Sequence, residues 1–203
     1  MATTTARRTR EERYDERRTQ LAESALTTLG ELGYARTSLR EIAQNSEFTH
    51  GVVHYYFASK IELITFCVRH YKAQCVTRYD AIVAEAATAD DLRASFAAKL
   101  AETLLAESAM HRLWYDLRTQ SMFEADLRAD VVDIDRALEQ MIWRVLSRYA
   151  ELAGCSPSLD SATAYALLDG LFEKALLAHL TGAAEAGEQL RQRAEQLLPM
   201  LIG

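Results

Sequence analysis

TSLREIAQNSEFTHGVVHYYFASKIEL, the stretch from Thr37 to Leu63, decides the fold predicted for this chain. Ser38 and Glu41 have the spacing of a capping box, in which two side chains satisfy free backbone donors at the start of a helix. Apolar residues recur as one face of a helix requires, at Leu39, Ile42 and Ala43 in a first segment and at Val53 and Phe57 in a second. Polar residues between the two segments interrupt the pattern. Two short helices joined by a tight turn predict a helix-turn-helix.

The other face of the second helix combines small residues with aromatic rings that carry a polar tip. Gly51 and Val52 allow close approach to base edges in a DNA major groove. Aromatic rings with a polar tip suit phosphate and sugar contacts, and this face has four of them, at His50, His54, Tyr55 and Tyr56. The alternative is a buried aromatic corner, but adjacent rings point in different directions round a helix and cannot all be buried. The pattern therefore favours DNA binding.

Two runs in this region resemble the DNA-binding domain of TetR-family regulators: Leu-Arg-Glu-Ile-Ala at 39–43 and Gly-Val-Val-His-Tyr-Tyr-Phe-Ala-Ser-Lys-Ile-Glu-Leu at 51–63. The resemblance extends back to Leu21 and covers the N-terminal third of the chain. It implies an all-α fold with a three-helix DNA-binding domain and a larger helical bundle for ligand binding and dimerisation, about nine helices in total. It also implies a homodimeric transcriptional regulator.

Carried over position by position, the resemblance predicts contacts with double-stranded DNA from Arg40, Thr49, His50, Gly51, Val52, His54, Tyr56 and Lys60. Ser38 and Tyr55 complete the predicted DNA-contacting set. His54 stands where the family usually has a phosphate-binding tyrosine, and Tyr56 stands where it often has histidine. Glu47 takes a turn position that is normally glycine. A left-handed backbone there would cost about 1–2 kcal/mol, so a turn of different shape is expected. The Glu47 carboxylate would also repel phosphate unless Arg40 or the adjacent helix screens it.

Composition supports a helical, cytoplasmic protein. The chain has 203 residues, of which 49% are apolar, and neither proline nor glycine occurs between Gly51 and Gly154. A hundred residues without such breakers favour helices. No apolar run reaches the roughly 18 residues of a membrane span, and the arginine-rich start is unlike a signal peptide. The three cysteines include no CxxC pair and suit a reduced cytosol, with buried thiols expected.

The net charge of −6 is unevenly distributed. Residues 1–60 hold nine basic and eight acidic side chains, whereas residues 61–203 hold fourteen and twenty-one. The acidic excess therefore lies away from the predicted DNA-binding segment. Arg7, Arg8 and Arg10 precede every acidic residue and form either a basic arm along DNA or an ordinary solvated tail.

The predicted domains are residues 1–60 for DNA binding and residues 61–203 for effector binding and dimerisation. In the first domain, a helix from about Thr9 to Leu32 ends at Gly33, which fits a left-handed cap. A connecting helix is predicted to run from Lys60 to about Ala87. Asp90 and Asp91 mark the start of the next helix. Further helices are predicted over 109–122, 125–152, 159–181 and 184–201.

No catalytic motif is present: the chain lacks GxSxG, a P-loop, GxGxxG and HExxH. His50 and His54 have a spacing compatible with a metal ion, but no third ligand is evident nearby, and two histidines on a DNA-reading face are favoured. We therefore expect no enzyme activity, no cofactor and no metal.

Aromatic and charged residues of the second domain are candidates for an effector pocket, because ligand sites combine aromatic walls with a few polar groups. The candidates are Trp114, Tyr115, Arg118, Met122, Phe123, Trp143, Phe172 and Glu173. The alternative is that these aromatic residues belong to an ordinary core. Asp169-Gly170-Leu171-Phe172 resembles the C-terminal domain of the choline-responsive BetI-like branch of the family, which makes a cationic ligand conceivable.

The last two helices are predicted to form the dimer. The candidate interface residues are Leu168, Leu171, Phe172, Ala175, Leu176, His179, Leu190, Ala194 and Leu197. The alternative is that both apolar stripes pack inside one subunit.

The function predicted is that of a repressor released from a near-palindromic operator by a small-molecule effector. Two alternatives remain open. One is a DNA-binding protein of the same fold without small-molecule input, and the other is a helical enzyme with an incidental helix-turn-helix.

Overall fold

The computed structural model of the chain describes residues 9–203, except the side chain of Gln74. Ten α-helices occupy most of that range, and the β-structure within it is one isolated bridge between Pro157 and Ile202. The all-α prediction is confirmed, with one helix more than expected. Arg7 and Arg8 of the predicted basic arm lie outside the described residues, and Arg10 is the first residue of the first helix.

Four helices form the N-terminal part: α1 (Arg10–Arg36), α2 (Leu39–Gln44), α3 (His50–Tyr56) and α4 (Lys60–Cys75). Local capping starts the first three. Thr9 with Glu12 and Ser38 with Glu41 form complete capping boxes at α1 and α2. The Thr49 side chain accepts from the Val52 backbone N–H at the start of α3.

Gly33 interrupts α1 near the predicted end of that helix. Its φ of 76° is left-handed, which a residue with a side chain rarely adopts, and helical structure resumes for one more short stretch to Arg36. Gly33 therefore has the positive φ that was predicted, but its ψ of 171° is not that of a left-handed helix cap, and it marks a kink rather than the helix terminus.

The α2–α3 pair is a helix-turn-helix backed by α1 and α4. The side chains packed between these helices are almost completely inaccessible to solvent: Leu21, Ala25 and Leu29 of α1, Ile42 of α2, Val53 of α3, Phe57 after it, and Leu63, Ile64 and Cys67 of α4. Burial of this apolar face fixes which side of α3 points outward.

The remaining helices are α5 (Asp80–Glu85), α6 (Ala89–Ala106), α7 (Ser108–Gln120), α8 (Ala125–Ala153), α9 (Ser161–Leu180) and α10 (Ala186–Met200). Helix α10 packs against α6 and α9, and α8 packs against α9 and α6. Gly154 ends α8 in the left-handed conformation, with φ 69°. The core of this bundle includes Leu92, Phe96, Leu104, Leu127, Leu146 and Leu190.

The single connecting helix predicted over 60–87 is wrong, because the structure divides it into α4 and α5. Turns between Cys75 and Asp80 separate the two helices. The guanidinium of Arg144, on α8, donates to the Val76 carbonyl at 2.6 Å and to the Asp80 carboxylate at 3.0 Å. A side chain from a distant part of the chain thus satisfies the backbone where α4 stops, and no local signal in residues 60–87 announces it.

The chain divides into two compact units, with the division between Tyr71 and Lys72, later in α4 than the boundary predicted at residue 60. Within the described residues, no helix combines the length and the apolar character that crossing a bilayer requires.

Candidate DNA-binding surface and ligand cavity

The predicted DNA-contacting residues form an exposed surface on the helix-turn-helix. Exposed side chains of this set are those of Ser38, Arg40, Thr49, His50, His54 and Tyr55, with Gly51 equally open, while Val52, Tyr56 and Lys60 are half-buried. Val53 and Phe57 point into the core and hold the opposite face of α3. The His50 and His54 rings meet edge to face, with centroids 4.4 Å apart, so the two side chains form one projecting pair.

Tyr14 of α1 supports the end of α3 and was not identified from sequence. Its ring lies 4.9 Å from that of Tyr56 and 6.3 Å from that of Tyr55, and these two rings are 5.0 Å apart. Such aromatic clusters restrict the orientations available to each ring. The three hydroxyl groups therefore belong to one ordered patch beside the recognition helix.

In the absence of DNA, Lys60 contacts an aromatic ring and Glu47 contacts a positive charge. The Lys60 ammonium lies 4.1 Å from the centre of the Tyr34 ring, which holds its charge near the start of α4. Glu47 lies 3.9 Å from the Arg17 guanidinium of α1. This exposed pair is weak, but it places a positive charge beside the acid that would otherwise repel phosphate.

The turn containing Glu47 needs no left-handed residue. In the part of the chain that the structure describes, positive φ occurs only at Gly33, Gly154 and Gly182. Glu47 is therefore accommodated without the strain of a left-handed backbone.

A cavity lies inside the C-terminal unit, between α4, α6, α7, α8 and α9. The space inside it that the centre of a water molecule can occupy has a volume of about 70 Å³. Apolar and aromatic side chains dominate the wall, including Tyr79, Leu100, Leu138, Met141, Ile142, Tyr165, Leu168 and Phe172. The polar groups in the wall come from Lys72, Cys75, Arg78, Thr103, His111, Trp114, Tyr115 and Asp169. This combination of apolar walls and a few polar groups is typical of small-molecule sites.

Asp169 is the acidic group of the wall, and it is already matched by neighbours. The Tyr115 hydroxyl donates to its carboxylate at 2.9 Å, and the Arg118 guanidinium donates to the other carboxylate oxygen. Burial raises the pKa of Tyr115, and the adjacent Asp169 charge raises it further. Tyr115 therefore remains a protonated donor, and the wall has little free negative charge at this point.

Two ring nitrogens of the wall have no hydrogen-bond partner among the described residues, His111 Nε2 and Trp114 Nε1. Both side chains are buried, with exposed fractions of 7% and 2%. Burial lowers the pKa of His111 to about 3, and the positive charges of Lys72 and Arg78 contribute to the same shift. The imidazole is therefore neutral at physiological pH.

Lys72 brings a buried amine to the same wall. Its ammonium lies 5.0 Å from the centre of the Trp114 ring, and the side chain is 4% exposed. Burial lowers the pKa of Lys72 to about 8. The neighbouring Arg78 guanidinium contacts the Glu107 carboxylate at 2.6 Å and the Cys75 sulfur at 3.4 Å.

The structure brings only part of the predicted effector set together. Trp114, Tyr115 and Phe172 line the cavity. Arg118 does not line it, but its guanidinium donates to the Asp169 carboxylate of the wall. Met122 and Phe123 are 68% and 80% exposed, because the chain leaves α7 in a turn there. Trp143 does not line the cavity, and Glu173 lines a separate surface groove with Arg112 and Leu177. These four residues are therefore removed from the cavity assignment.

Most of the predicted dimer residues are buried within one chain. Leu168, Phe172, Ala175, Leu176, Leu190 and Ala194 are all inward-facing, whereas Leu171, His179 and Leu197 are half-buried. The large exposed apolar residues of α9 are instead Leu167, Leu177 and Leu180. The stripe seen in the sequence thus serves the core of the subunit, and an interface on α9 requires the opposite face.

The polar cavity residues Lys72 and His111 were missed from sequence, although a signal existed for Lys72. It lies four residues after Val68 and three before Cys75, so it falls on the buried stripe of α4. A lysine on such a stripe indicates a buried charge. For His111, the spacing of three residues to Trp114 places both on one face of α7, but only the packing of that face shows a cavity.

Comparisons with known proteins agree with this architecture. Residues 21–65 match the family described as bacterial regulatory proteins, tetR family. The HTH-type transcriptional regulator BetI of Burkholderia mallei (strain NCTC 10229) is 30% identical over 166 residues, which are 80% of this chain and 83% of that protein. BetI of Burkholderia ambifaria (strain MC40-6) is 29% identical over 169 residues, with the same coverage of both chains.

Solved structures share the fold at low sequence identity. A transcriptional regulator from Saccharomonospora viridis, crystallised with choline, has a TM-score of 0.73 and 21% identity, covering 93% of this chain and 98% of that one. FadR from Bacillus subtilis, crystallised with stearoyl-CoA, has a TM-score of 0.72 and 18% identity, covering 89% and 96%.

The helix-turn-helix, the helical bundle around an internal cavity and the relationship to BetI across most of both chains lead to one conclusion. This chain belongs to the TetR family of bacterial regulatory proteins and is a DNA-binding transcriptional regulator rather than an enzyme.

Proposed function

We propose that this regulator is a repressor that leaves its operator when a small molecule occupies the cavity of the C-terminal unit. The observation that carries the proposal is the pair of buried, unpartnered ring nitrogens, His111 Nε2 and Trp114 Nε1, in the wall of that cavity. Leaving a buried polar group without a partner costs about 1–3 kcal/mol. A ligand that supplies the missing hydrogen bonds would therefore favour the form of the protein that binds it.

The operator contacts would come from the exposed face of α2 and α3. His50 and Arg40 would reach base edges, whereas Tyr56 and Lys60 would contact phosphates. A seven-residue recognition helix reads only a few base pairs, so two copies of the chain would be needed for a specific site. The operator would accordingly be a near-palindrome.

The dimer would use the outward face of α9 with the adjoining surface of α10. Leu167, Leu177 and Leu180 expose apolar side chains there, and Gly170 lies between them with no other group within 4 Å of where a Cβ would stand. Burying such a face against its symmetry mate would give a four-helix interface.

Helix α4 offers a route for communication. It begins with Lys60, a proposed phosphate contact, and it carries Lys72 and Cys75 of the cavity wall near its other end. A ligand that changes the position of α4 at the cavity would move Lys60. The resulting change in DNA affinity is limited by the ligand's preference between the two forms, typically about 1–3 kcal/mol.

The proposal is tested in two steps. Genomic fragments retained by the purified protein would be sequenced to define the operator, and small molecules would then be screened for stabilisation of the protein alone. By reciprocity, operator DNA must weaken effector binding by the same factor as the effector weakens DNA binding. Equal effector affinities with and without operator would refute release by ligand.

A further inference from the structure

His111 and Trp114 define a hydrogen-bonding requirement for whatever fills the cavity. The Thr103 backbone acts to raise the pKa of His111, as a carbonyl that accepts from a ring N–H does, and Nε2 has no partner among the described residues, so we assign the proton of the neutral ring to Nδ1. Neutral Nε2 is then an acceptor. Indole Nε1 of Trp114 is only a donor. The ligand must therefore bring one donor and one acceptor close together, because residues three apart on α7 lie side by side.

Lys72 favours a negative charge on the ligand atom that accepts from Trp114 Nε1. Its ammonium lies over the Trp114 ring, 5.0 Å from the centroid, where a cationic ligand would otherwise sit. A lysine ammonium has three N–H donors and can donate to a ligand beside any partner within the protein. An anionic oxygen accepting from Trp114 would also meet this charge.

The remaining charged groups of the wall do not favour a cation. Asp169 is already engaged by Arg118 and Tyr115, and the Arg78 guanidinium, paired with Glu107, brings a second positive charge to the wall. A quaternary ammonium group has neither a donor for His111 nor an acceptor for Trp114, so a ligand such as choline would have to serve both nitrogens through its one hydroxyl. The aromatic wall thus resembles a site for a cation, but Lys72 occupies the position that the cation needs.

Building on the proposed function, we propose that the cavity binds a compact hydroxy carboxylic acid as its carboxylate. Lys72 and Trp114 Nε1 donate to the carboxylate, and the ligand's hydroxyl donates to His111 Nε2. Its hydrocarbon part packs against Leu100, Leu138, Ile142 and Phe172. The space open to the centres of water molecules is about 70 Å³, and one water needs about 10–15 Å³ on this measure, so the cavity holds a few waters. A small ligand therefore fits, and a long acyl chain does not.

The test uses matched probes on three skeletons of three carbons, six carbons and a phenyl group. Each skeleton is supplied as a 2-hydroxy carboxylate, the carboxylate without the hydroxyl, and the 2-hydroxy amide; the phenyl set is mandelate, phenylacetate and mandelamide. Choline is the cationic probe. Calorimetric titration of the full-length protein should show, on at least one skeleton, the hydroxy carboxylate binding at least about tenfold more tightly than both analogues and choline.

Three substitutions assign the contacts to residues. Lys72→Met keeps the apolar stem and should remove the preference for the carboxylate over the amide. His111→Leu should remove the preference for the hydroxyl, and Trp114→Phe, which keeps an aromatic ring, should weaken the hydroxy carboxylate about tenfold. Lys99 is a partly exposed lysine on α6, and Lys99→Met is the matched control that should change none of these ratios. If His111→Leu fails to fold, Trp114→Phe still tests the site.

The outcomes separate this inference from the proposed function. Tightest binding by choline or by the neutral amide overturns the inference, and so does the absence of binding by every probe, which would mean that water alone serves the two nitrogens. Anisotropy of labelled operator is measured in parallel. A hydroxy carboxylate that binds without weakening the operator complex supports the inference and refutes release, whereas release by choline alone refutes the inference and supports release.

Discussion

Burial disfavours the charged form of the Lys72 side chain. It lies on the inward face of α4, and desolvation lowers its pKa from 10.5 to about 8. Below about pH 8 the folded protein must therefore hold a charge in an apolar wall, which reduces its stability. A group that weakens the fold in this way is typical of a binding site, where function and stability compete.

Lys72→Met should stabilise the protein at pH 7 by about 2–3 kcal/mol, because the buried charge is removed. Between pH 8 and 10.5 the unfolded chain binds the Lys72 proton more than the folded protein does, so wild-type stability gains with rising pH and the advantage of Lys72→Met shrinks. Urea unfolding of both proteins at several pH values measures the difference. The titratable and charged groups facing Lys72 are the same in both proteins: Cys75, Arg78, Tyr79, Glu107, His111 and Asp169.

Taking the difference between the two proteins cancels other titrations, such as that of Cys67, whose pKa burial raises. Lys99→Met should show no comparable pH dependence, because Lys99 is a partly exposed residue paired with Glu102. A stability difference for Lys72→Met that stays constant from pH 7 to pH 10 would contradict a buried, titrating amine.

Lys60, whose ammonium lies over the Tyr34 ring, is predicted to contact a DNA phosphate. Lys60→Ala should weaken binding to any duplex and reduce the slope of log affinity against log salt by about one unit, because one phosphate contact is lost. Fluorescence anisotropy over a series of salt concentrations measures both quantities. Lys99→Ala, which removes a charge far along the chain, is the control. An unchanged slope for Lys60→Ala would show that Lys60 does not contact phosphate.

Helix α9 has two apolar faces with different partners. One face carries Leu168, Phe172 and Leu176, which are buried in the bundle, and the other carries Leu167 and Leu177, which are exposed. An α-helix with apolar residues on both sides is expected where it is covered on both sides. Among the described residues of one chain, the first face is covered, and Leu167 and Leu177 on the second face are exposed.

Adjacent leucines of α9 therefore offer a matched pair of substitutions. Leu177 is 64% exposed and Leu176 is 2% exposed. Leu177→Glu should give a folded monomer, because a carboxylate at a dimer interface is costly to bury. Leu176→Glu should unfold the subunit, because it places an unpaired charge in the core.

Sedimentation velocity and circular dichroism measure assembly and folding for both variants. Leu177→Ala is the milder control and should weaken the dimer without abolishing it. A wild-type protein that sediments as a monomer at micromolar concentration would refute the interface, and so would a Leu177→Glu variant that remains dimeric.

The whole molecule separates its charges along the chain. Residues 61–203 carry fourteen basic and twenty-one acidic side chains, and residues 1–60 carry nine and eight. Negative charge is repelled by DNA, so this distribution disfavours binding through the C-terminal unit. The protein can have a net charge of −6 and still present a helix-turn-helix to the operator.

A dimer that holds two recognition helices must match the spacing of its operator. Half-sites should lie about one helical turn apart, roughly 34–36 Å, or a multiple of it. Inserting half a helical turn, about five base pairs, between the half-sites should weaken binding strongly, since both helices can no longer enter their grooves together. Anisotropy over a spacing series measures this effect.

The same insertion placed outside the half-sites is the control for DNA length and should leave affinity unchanged. Insertion of a full turn should recover part of the lost affinity, because the two half-sites face the same side again. Equal affinity across the whole series would mean that one subunit binds DNA on its own.

The sequence by itself determined the all-α fold and the start of the helix-turn-helix. The capping box of Ser38 and Glu41 and the breaker-free run after Gly51 appear in the structure where they were predicted, and the structure adds a cap at Thr49. These signals are local, because capping bonds and helical periodicity join residues within four positions of each other. The face of α3 that points outward follows from the same periodicity.

Only the tertiary structure decided which faces of the later helices are buried and which residues share the cavity. Arg144 meets the end of α4 from α8, and Lys72, His111 and Asp169 come together from α4, α7 and α9. Residues so far apart in the chain meet through packing, and an apolar stripe has the same appearance whether it faces the core or a second subunit. Periodicity therefore shows that a face is apolar, whereas the atoms packed against it determine what that face does.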